Sequence, residues 1–198
     1  MRNDFSEMAM QAFSFLEDAG FRCTKNAPSL LCYESDLSFV TVSWDARSGE
    51  LDASIGLLPQ TGQVQDGYSI ADVLGFAGLP ESNSKPAQVA DMSRLEPFIA
   101  TLAKNVYTYA QPALAGDRVY FRELEIFRNT KAVAFMQDMK LQQMRSEVQG
   151  AWRGRQYDRV VALYTPLKDY LTESETRKLE YAKQHLQSPV EQQVSDHE

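Results

Sequence analysis

Phe5, Met8, Ala9, Ala12 and Leu16 recur every three or four positions, which predicts an amphipathic helix over 4–19. Gly20 follows where a helix end favours a left-handed residue, and Leu16 and Phe21 then supply the hydrophobic pair of a Schellman stop. The period then shortens. Residues 21–25 and 30–34 have strand character and are separated by Asn26-Ala27-Pro28-Ser29, a turn composition. Phe39-Val40-Thr41-Val42-Ser43-Trp44 is rich in β-branched and aromatic residues, and beyond it Leu51, Ala53, Ile55 and Leu57 alternate with Asp52, Ser54 and Gly56. Ser48-Gly49 makes the turn between these two strands. The alternation predicts Leu51, Ala53 and Ile55 facing inward and Asp52 and Ser54 facing solvent.

Residues 59–68 read as a polar loop, after which Ser69 with Asp72 caps a short helix through Val73, Leu74 and Phe76, closed by Gly78 and Pro80. The stretch 81–90, beginning ESNSKPAQ, reads as a linker. Leu95, Phe98, Ile99, Leu102, Val106 and Tyr109 form another helical stripe, stopped near Pro112 and Gly116. Residues 117–148 look helical with a less regular period, and their Met and Phe residues over 127–144 suit a core or an interhelix seam. In 151–186, Tyr157, Val160, Val161 and Tyr164 share a face, Pro166 restarts the helix with Thr165 as N-cap, and Thr172-Glu-Ser-Glu175 is a capping box. Leu179, Ala182 and Leu186 then line the last helix. This helical hairpin resembles one tetratricopeptide-like unit, and a single unit builds no solenoid because each repeat needs neighbours. It reads as a packing element and a candidate for homodimerisation. The expected architecture is α+β: an N-terminal helix, an antiparallel meander of three or four strands, and a helical C-terminal half. Its expected division is a sheet domain over 1–80, a linker over 81–90, a helical region over 91–187 and a disordered tail over 188–198.

Composition sharpens the class. With 43% hydrophobic and 24% charged residues in 198, the chain reads as an ordinary globular protein. MRNDFSEMAM carries Asp4 and Glu7 where a secretory segment needs an apolar run, so a cytoplasmic protein without membrane association is expected. Cys23 and Cys32 are the only cysteines, and reduced thiols are expected of them. Charge is uneven. Residues 1–116 hold 7 Lys and Arg against 14 Asp and Glu, whereas 117–186 hold 13 against 10. An acidic front repels nucleic acid and attracts basic partners.

Catalytic signatures are weak. Ser82 and Lys85 have the S-x-x-K spacing of serine acyl-enzymes, but Pro86 follows at once inside the linker. Asp45, Glu50 and Asp52 approach one another around the hairpin turn; as a solvated turn they lack the pocket that acid–base work requires. Trp152, Arg153, Arg155, Tyr157 and Arg159 interleave bases with aromatics, although Asp158 interrupts them. The two histidines, His185 and His197, form no zinc pattern with the cysteines. No catalytic set, metal or cofactor is expected.

Taken in order, FLEDAGF, LCYESDLSFVTVSWDARSGELDASIGLL and YSIADVLGFAGL give a helix ending in Gly-Phe, a Tyr-Glu-Ser strand, a valine-rich strand, an Asp-x-Arg-Ser-Gly-Glu-Leu turn, an aliphatic strand and a short capped helix. Over residues 10–80 this order resembles small bacterial proteins of the toxin-immunity type. The resemblance implies a noncatalytic inhibitor that covers a toxin domain, and an acidic front would steer it toward a basic one. The arrangement also resembles secretion chaperones that dimerise around an effector segment, and an enzyme with an unrecognised site is the third reading. The expected partner contacts are Trp44, Asp45, Arg47, Glu50 and Asp52, with Glu34 and Asp36 nearby, as one exposed acidic and aromatic end of the sheet.

Overall fold

In the computed structural model, which describes residues 4–58, 67–80 and 87–187, the predicted first helix is two: α1 (Phe5–Ala12) and α2 (Phe15–Asp18). Asp4 caps α1 by accepting from the Glu7 N–H at 3.0 Å. Phe13, at the break, and Leu16, beyond it, are both fully buried. The stop at Gly20 is as expected. Gly20 has φ 87°, its N–H donates to the Glu17 carbonyl, and the Phe21 N–H donates to the Leu16 carbonyl at 2.9 Å.

Four strands follow as an antiparallel meander: β1 (Arg22–Ala27), β2 (Leu30–Glu34), β3 (Ser38–Asp45) and β4 (Glu50–Leu57). Two short strands, β5 (Tyr68–Ser69) and β6 (Ala87–Gln88), both pair with β4, at its Ser54–Ile55 and its Glu50–Leu51 respectively. On one face Leu31, Tyr33, Val40, Val42, Trp44, Leu51, Ala53 and Ile55 are buried. The period-two expectation for Leu51, Ala53 and Ile55 therefore holds. Cys23 sits opposite Tyr33 and Cys32 opposite Lys25, because a bulge intervenes between them in β1. Both thiols are free and half-buried.

The inward face is covered by helices that the sequence places in another domain. Ser69 caps α3 (Ile70–Phe76), accepting from the Asp72 N–H at 3.2 Å. After β6 come α4 (Leu95–Tyr109), α5 (Gln111–Leu114) and the long α6 (Arg118–Arg153). Leu95, Ile99, Leu102 and Val106 of α4, with Phe121 and Leu124 of α6, belong to the same core as the sheet. The chain accordingly divides into Met1–Asn129 and Thr130–Glu198, and not at 81–90. A four-stranded sheet with one apolar face needs a cover, and α1 with α3 alone is too small to supply it. Residues 59–66 of the predicted loop, 81–86 of the predicted linker and the predicted tail 188–198 lie outside the described residues.

In the second unit, the end of α6 packs with α7 (Tyr157–Tyr164) and α8 (Glu173–Gln187) around Met144, Val148, Ala151, Val160, Tyr164, Leu179 and Ala182. The capping box forms: Thr172 Oγ1 accepts from the Glu175 N–H, and Glu175 accepts from the Thr172 N–H at 2.8 Å. Arg145 reaches the same carboxylate from α6, with Nε 2.6 Å from Oε1. This triad holds the Glu175 carboxyl far below its usual range, at about 2, the Arg145 hydrogen bond being the largest cause. Thr165 is not an N-cap. Its hydroxyl donates back to the Val161 carbonyl, and 165–170 is a 3-10 turn. Trp152, Tyr157, Tyr181 and His185 form a cluster of ring contacts, which accounts for the aromatics of the predicted basic patch.

Candidate functional site

The β3–β4 turn is tied at several points. The Asp45 carboxylate accepts from the Arg47 N–H at 2.8 Å, its carbonyl accepts from the Gly49 N–H at 2.7 Å, and Ser48 Oγ accepts from the Glu50 N–H at 3.3 Å. Gly49 has φ 72° and is buried, with the backbone of Val89 and Ala90 only 3.0 Å from where a Cβ would stand. Its carbonyl accepts from the Val89 N–H. The chain after β6 thus runs directly behind the turn, and only glycine satisfies both the backbone sign and the space.

On the sheet face opposite the core, this end opens into a cleft of about 590 Å³ lined by Ser29, Leu30, Ser43, Trp44, Asp45, Ala46, Arg47, Glu50 and Asp52. Three carboxylates face one guanidinium there, so the cleft is acidic. Asp52 is its least ordinary member. It sits opposite Ser43 in the β3–β4 register and is half-buried, not solvated as the alternation predicts. Its Oδ1 is enclosed and has no hydrogen-bond partner. Burial pushes its carboxyl up to about 6; a hydrogen bond from the Ala53 N–H opposes this, and the negative charges of Glu50 and Asp72 add to it. The turn therefore does supply the shifted carboxyl that a solvated hairpin would lack.

Asp45, Arg47, Glu50 and Asp52 come together as expected, with Trp44 also lining the cleft, but the Trp44 indole, Glu34 and Asp36 do not join them. Trp44 is 6% exposed, and its indole ring lies in the core against Phe5, with Nε1 donating to the Val89 carbonyl at 3.0 Å. It alternates with Ser43 and Asp45, so it must point to the opposite face from them. Glu34 and Asp36 lie at the β2–β3 connection, at the other end of β3 from the turn. At about 3.3 Å per residue along this strand they are some 20 Å away. The lining residues missed are Ser29, Leu30, Ser43 and Ala46. Pairing β3 against β4 about the Ser48-Gly49 turn would have found Ser43, because that register sets it beside Asp52.

Among the described residues, no group of three His, Cys, Asp or Glu side chains converges as a metal site, and no helix is long and apolar enough to cross a membrane. Ser82 and Lys85 lie outside those residues. Comparison with family models, with curated proteins and with solved structures returns no match.

Proposed function

We propose that the chain is a noncatalytic protein-binding protein that neutralises a bacterial toxin stoichiometrically, taking a basic side chain of that partner into the cleft at the β3–β4 turn. The observation that carries this reading is the cleft's imbalance: Asp45, Glu50 and Asp52, whose Oδ1 has no hydrogen-bond partner, against Arg47 alone. A lysine or arginine seated there would favour ionised Asp52 through its field, even without reaching the enclosed oxygen. The acidic first 116 residues add long-range attraction for a basic partner, and the immunity-protein resemblance supplies the biological setting.

Affinity capture from the source organism, followed by binding kinetics, tests it. Asp45→Lys with Glu50→Lys is expected to slow association with a basic toxin domain and to flatten its salt dependence, since exposed charges act mainly on encounter. Both residues are exposed, and Asp45→Lys also removes the acceptor of the Arg47 N–H, so stability should fall by about 0.5–1.5 kcal/mol. An unchanged association rate at low salt would remove the turn from the interface. Capture of an unfolded effector segment instead would favour the secretion-chaperone reading. The raised carboxyl of Asp52 favours a second one, an acid–base enzyme, in which Asp52→Asn abolishes turnover of a substrate bound in the cleft.

A further inference from the structure

In the middle of α6, Phe135, Met136 and Met139 stand exposed, neither core nor an internal seam, with no feature that selects what would cover them. The cleft at the β3–β4 turn is more selective. Asp52 Oδ1 is enclosed there and meets no donor, so an ionised carboxylate holds part of its charge on an oxygen that nothing solvates. Two events relieve this. A proton neutralises the acid, or a cation enters the cleft and its field offsets the charge. At about 590 Å³ the cleft has room for the head of a lysine or arginine. The groups around Asp52 decide which event prevails when the cleft is free. Glu50 precedes it on the same face of β4, and Asp72 of α3 adds a second negative charge. Asp45 and Arg47 line the cleft from the turn. On either side of Asp52, β5 and β6 pair with β4 and bring Ser69 and Gln88, which carry no charge. Burial first, and then Glu50 and Asp72, outweigh the Ala53 hydrogen bond, and the carboxyl stands at about 6.

We infer that the Asp52 proton and a partner's basic side chain oppose one another's binding in this cleft, so that mild acid loosens the complex. The inference rests on the reading of the cleft as the seat of a basic side chain. The coupling is reciprocal: a cation that makes Asp52 more acidic is itself held less tightly by the protonated protein, by the same factor. An opposite charge within ~4–6 Å moves a carboxyl's midpoint down by about one pH unit or more. One pH unit corresponds to about tenfold in affinity between the fully ionised and the fully protonated cleft. Between about pH 7.5 and about pH 5 the fall is about fivefold, because at the lower pH the cation-bound form is still half ionised.

N-acetyl-arginine amide serves as the probe, since its guanidinium stays charged throughout and any pH dependence then belongs to the protein. On the full chain, NMR amide shifts over residues 46–53 report the probe's affinity, and the Asp52 Cγ shift reports its protonation. Wild type should bind about fivefold more weakly at about pH 5 than at about pH 7.5. Saturating probe should move the Asp52 midpoint from about 6 to about 5. Asp52→Asn keeps Asp45 and Glu50 and should bind more weakly at the higher pH, with a fall toward acid about fivefold smaller than wild type's. The midpoint is read on wild type alone, whatever the variant's stability. An Asp52 midpoint that the probe leaves in place, or a ratio of wild-type to variant affinity that is the same at both pH values, overturns the linkage while the cleft still binds cations. No saturable shift at the turn overturns the cleft reading, and the linkage with it.

Discussion

Asp52→Asn tests the electrostatics of the cleft without reference to any partner. In the folded protein the Asp52 carboxyl is raised from 3.8 to about 6, with burial the main cause. A raised acid favours the fold in its protonated form. Its contribution is therefore complete below about pH 4 and is lost as pH rises through about 6. Two units correspond to roughly 3 kcal/mol at 1.36 kcal/mol each, and Asp52's partial exposure to screening solvent reduces this to ~1–2 kcal/mol. Asparagine keeps the shape and cannot ionise. Wild type should thus lose ~1–2 kcal/mol more than the variant between pH 4 and pH 8, whatever the variant's absolute stability. The comparison cancels the titrating groups that do not feel Asp52, because both proteins carry them; Glu50 and Asp72 are the two that do. Of the two tryptophans, Trp44 lies in the sheet's core and Trp152 in the second unit. A Trp152→Phe background leaves the first unit's unfolding in urea as the only tryptophan signal. With a urea slope of ~2 kcal/mol per molar, the midpoints should diverge by ~0.5–1 M at pH 8 relative to pH 4. Parallel loss of stability in the two proteins would refute the burial argument for Asp52.

Ile55→Ala should cost ~2–4 kcal/mol, since Ile55 is 2% exposed on the inward face of β4; an unchanged denaturation midpoint would contradict that register. Glu175→Gln should cost ~1–2 kcal/mol at neutral pH, read from the circular dichroism of the helices in urea. Glu175 is depressed from 4.5 to about 2, so its stabilisation is present above pH 4.5 and fades toward pH 2, where wild type and variant should converge. Arg155 holds φ 53° at the end of α6, a backbone sign that suits glycine. Arg155→Gly should therefore raise stability by ~0.5–1 kcal/mol, and a loss in thermal unfolding would contradict it.

Local rules made most of the fold legible. The Schellman stop at Gly20, the caps at Ser69 and Thr172 and the period-two strand at 51–57 depend on residues within a few positions of one another, and each occurs where the sequence puts it. The errors lie where a distant contact overrides the local pattern. The helix expected over 4–19 is interrupted at Phe13 and Ser14, a break that the local apolar spacing does not mark. The linker composition of 81–88 hid a strand, since Ala87 and Gln88 gain order from pairing with Glu50 and Leu51, which no neighbour in sequence reveals. The domain boundary failed for the same reason. The stripe of α4 looks like any helical stripe, and only the sheet's bare face explains why it belongs to the first unit.

The candidate site was half legible, and one assumption caused both of its errors. Treating the outward face as solvent and the hairpin end as exposed made Trp44 a surface anchor and Asp52 a hydrated charge. Alternation assigns sides only. It places Ser43, Asp45, Glu50 and Asp52 together and puts Trp44 behind them, and read strictly it should have moved the tryptophan into the core. How wet the other side is depends on what rises around it. Here Ser29, Leu30, Ser43 and Arg47 line the same cleft as Asp52, which therefore does not lie on a flat sheet. Its cleft is thus built in part by the connection between β1 and β2, more than twenty residues earlier, and its charge environment in part by Asp72, in α3. That distance is why a carboxylate with an ordinary local sequence carries an unusual proton affinity, and why its pH dependence reports on tertiary structure directly.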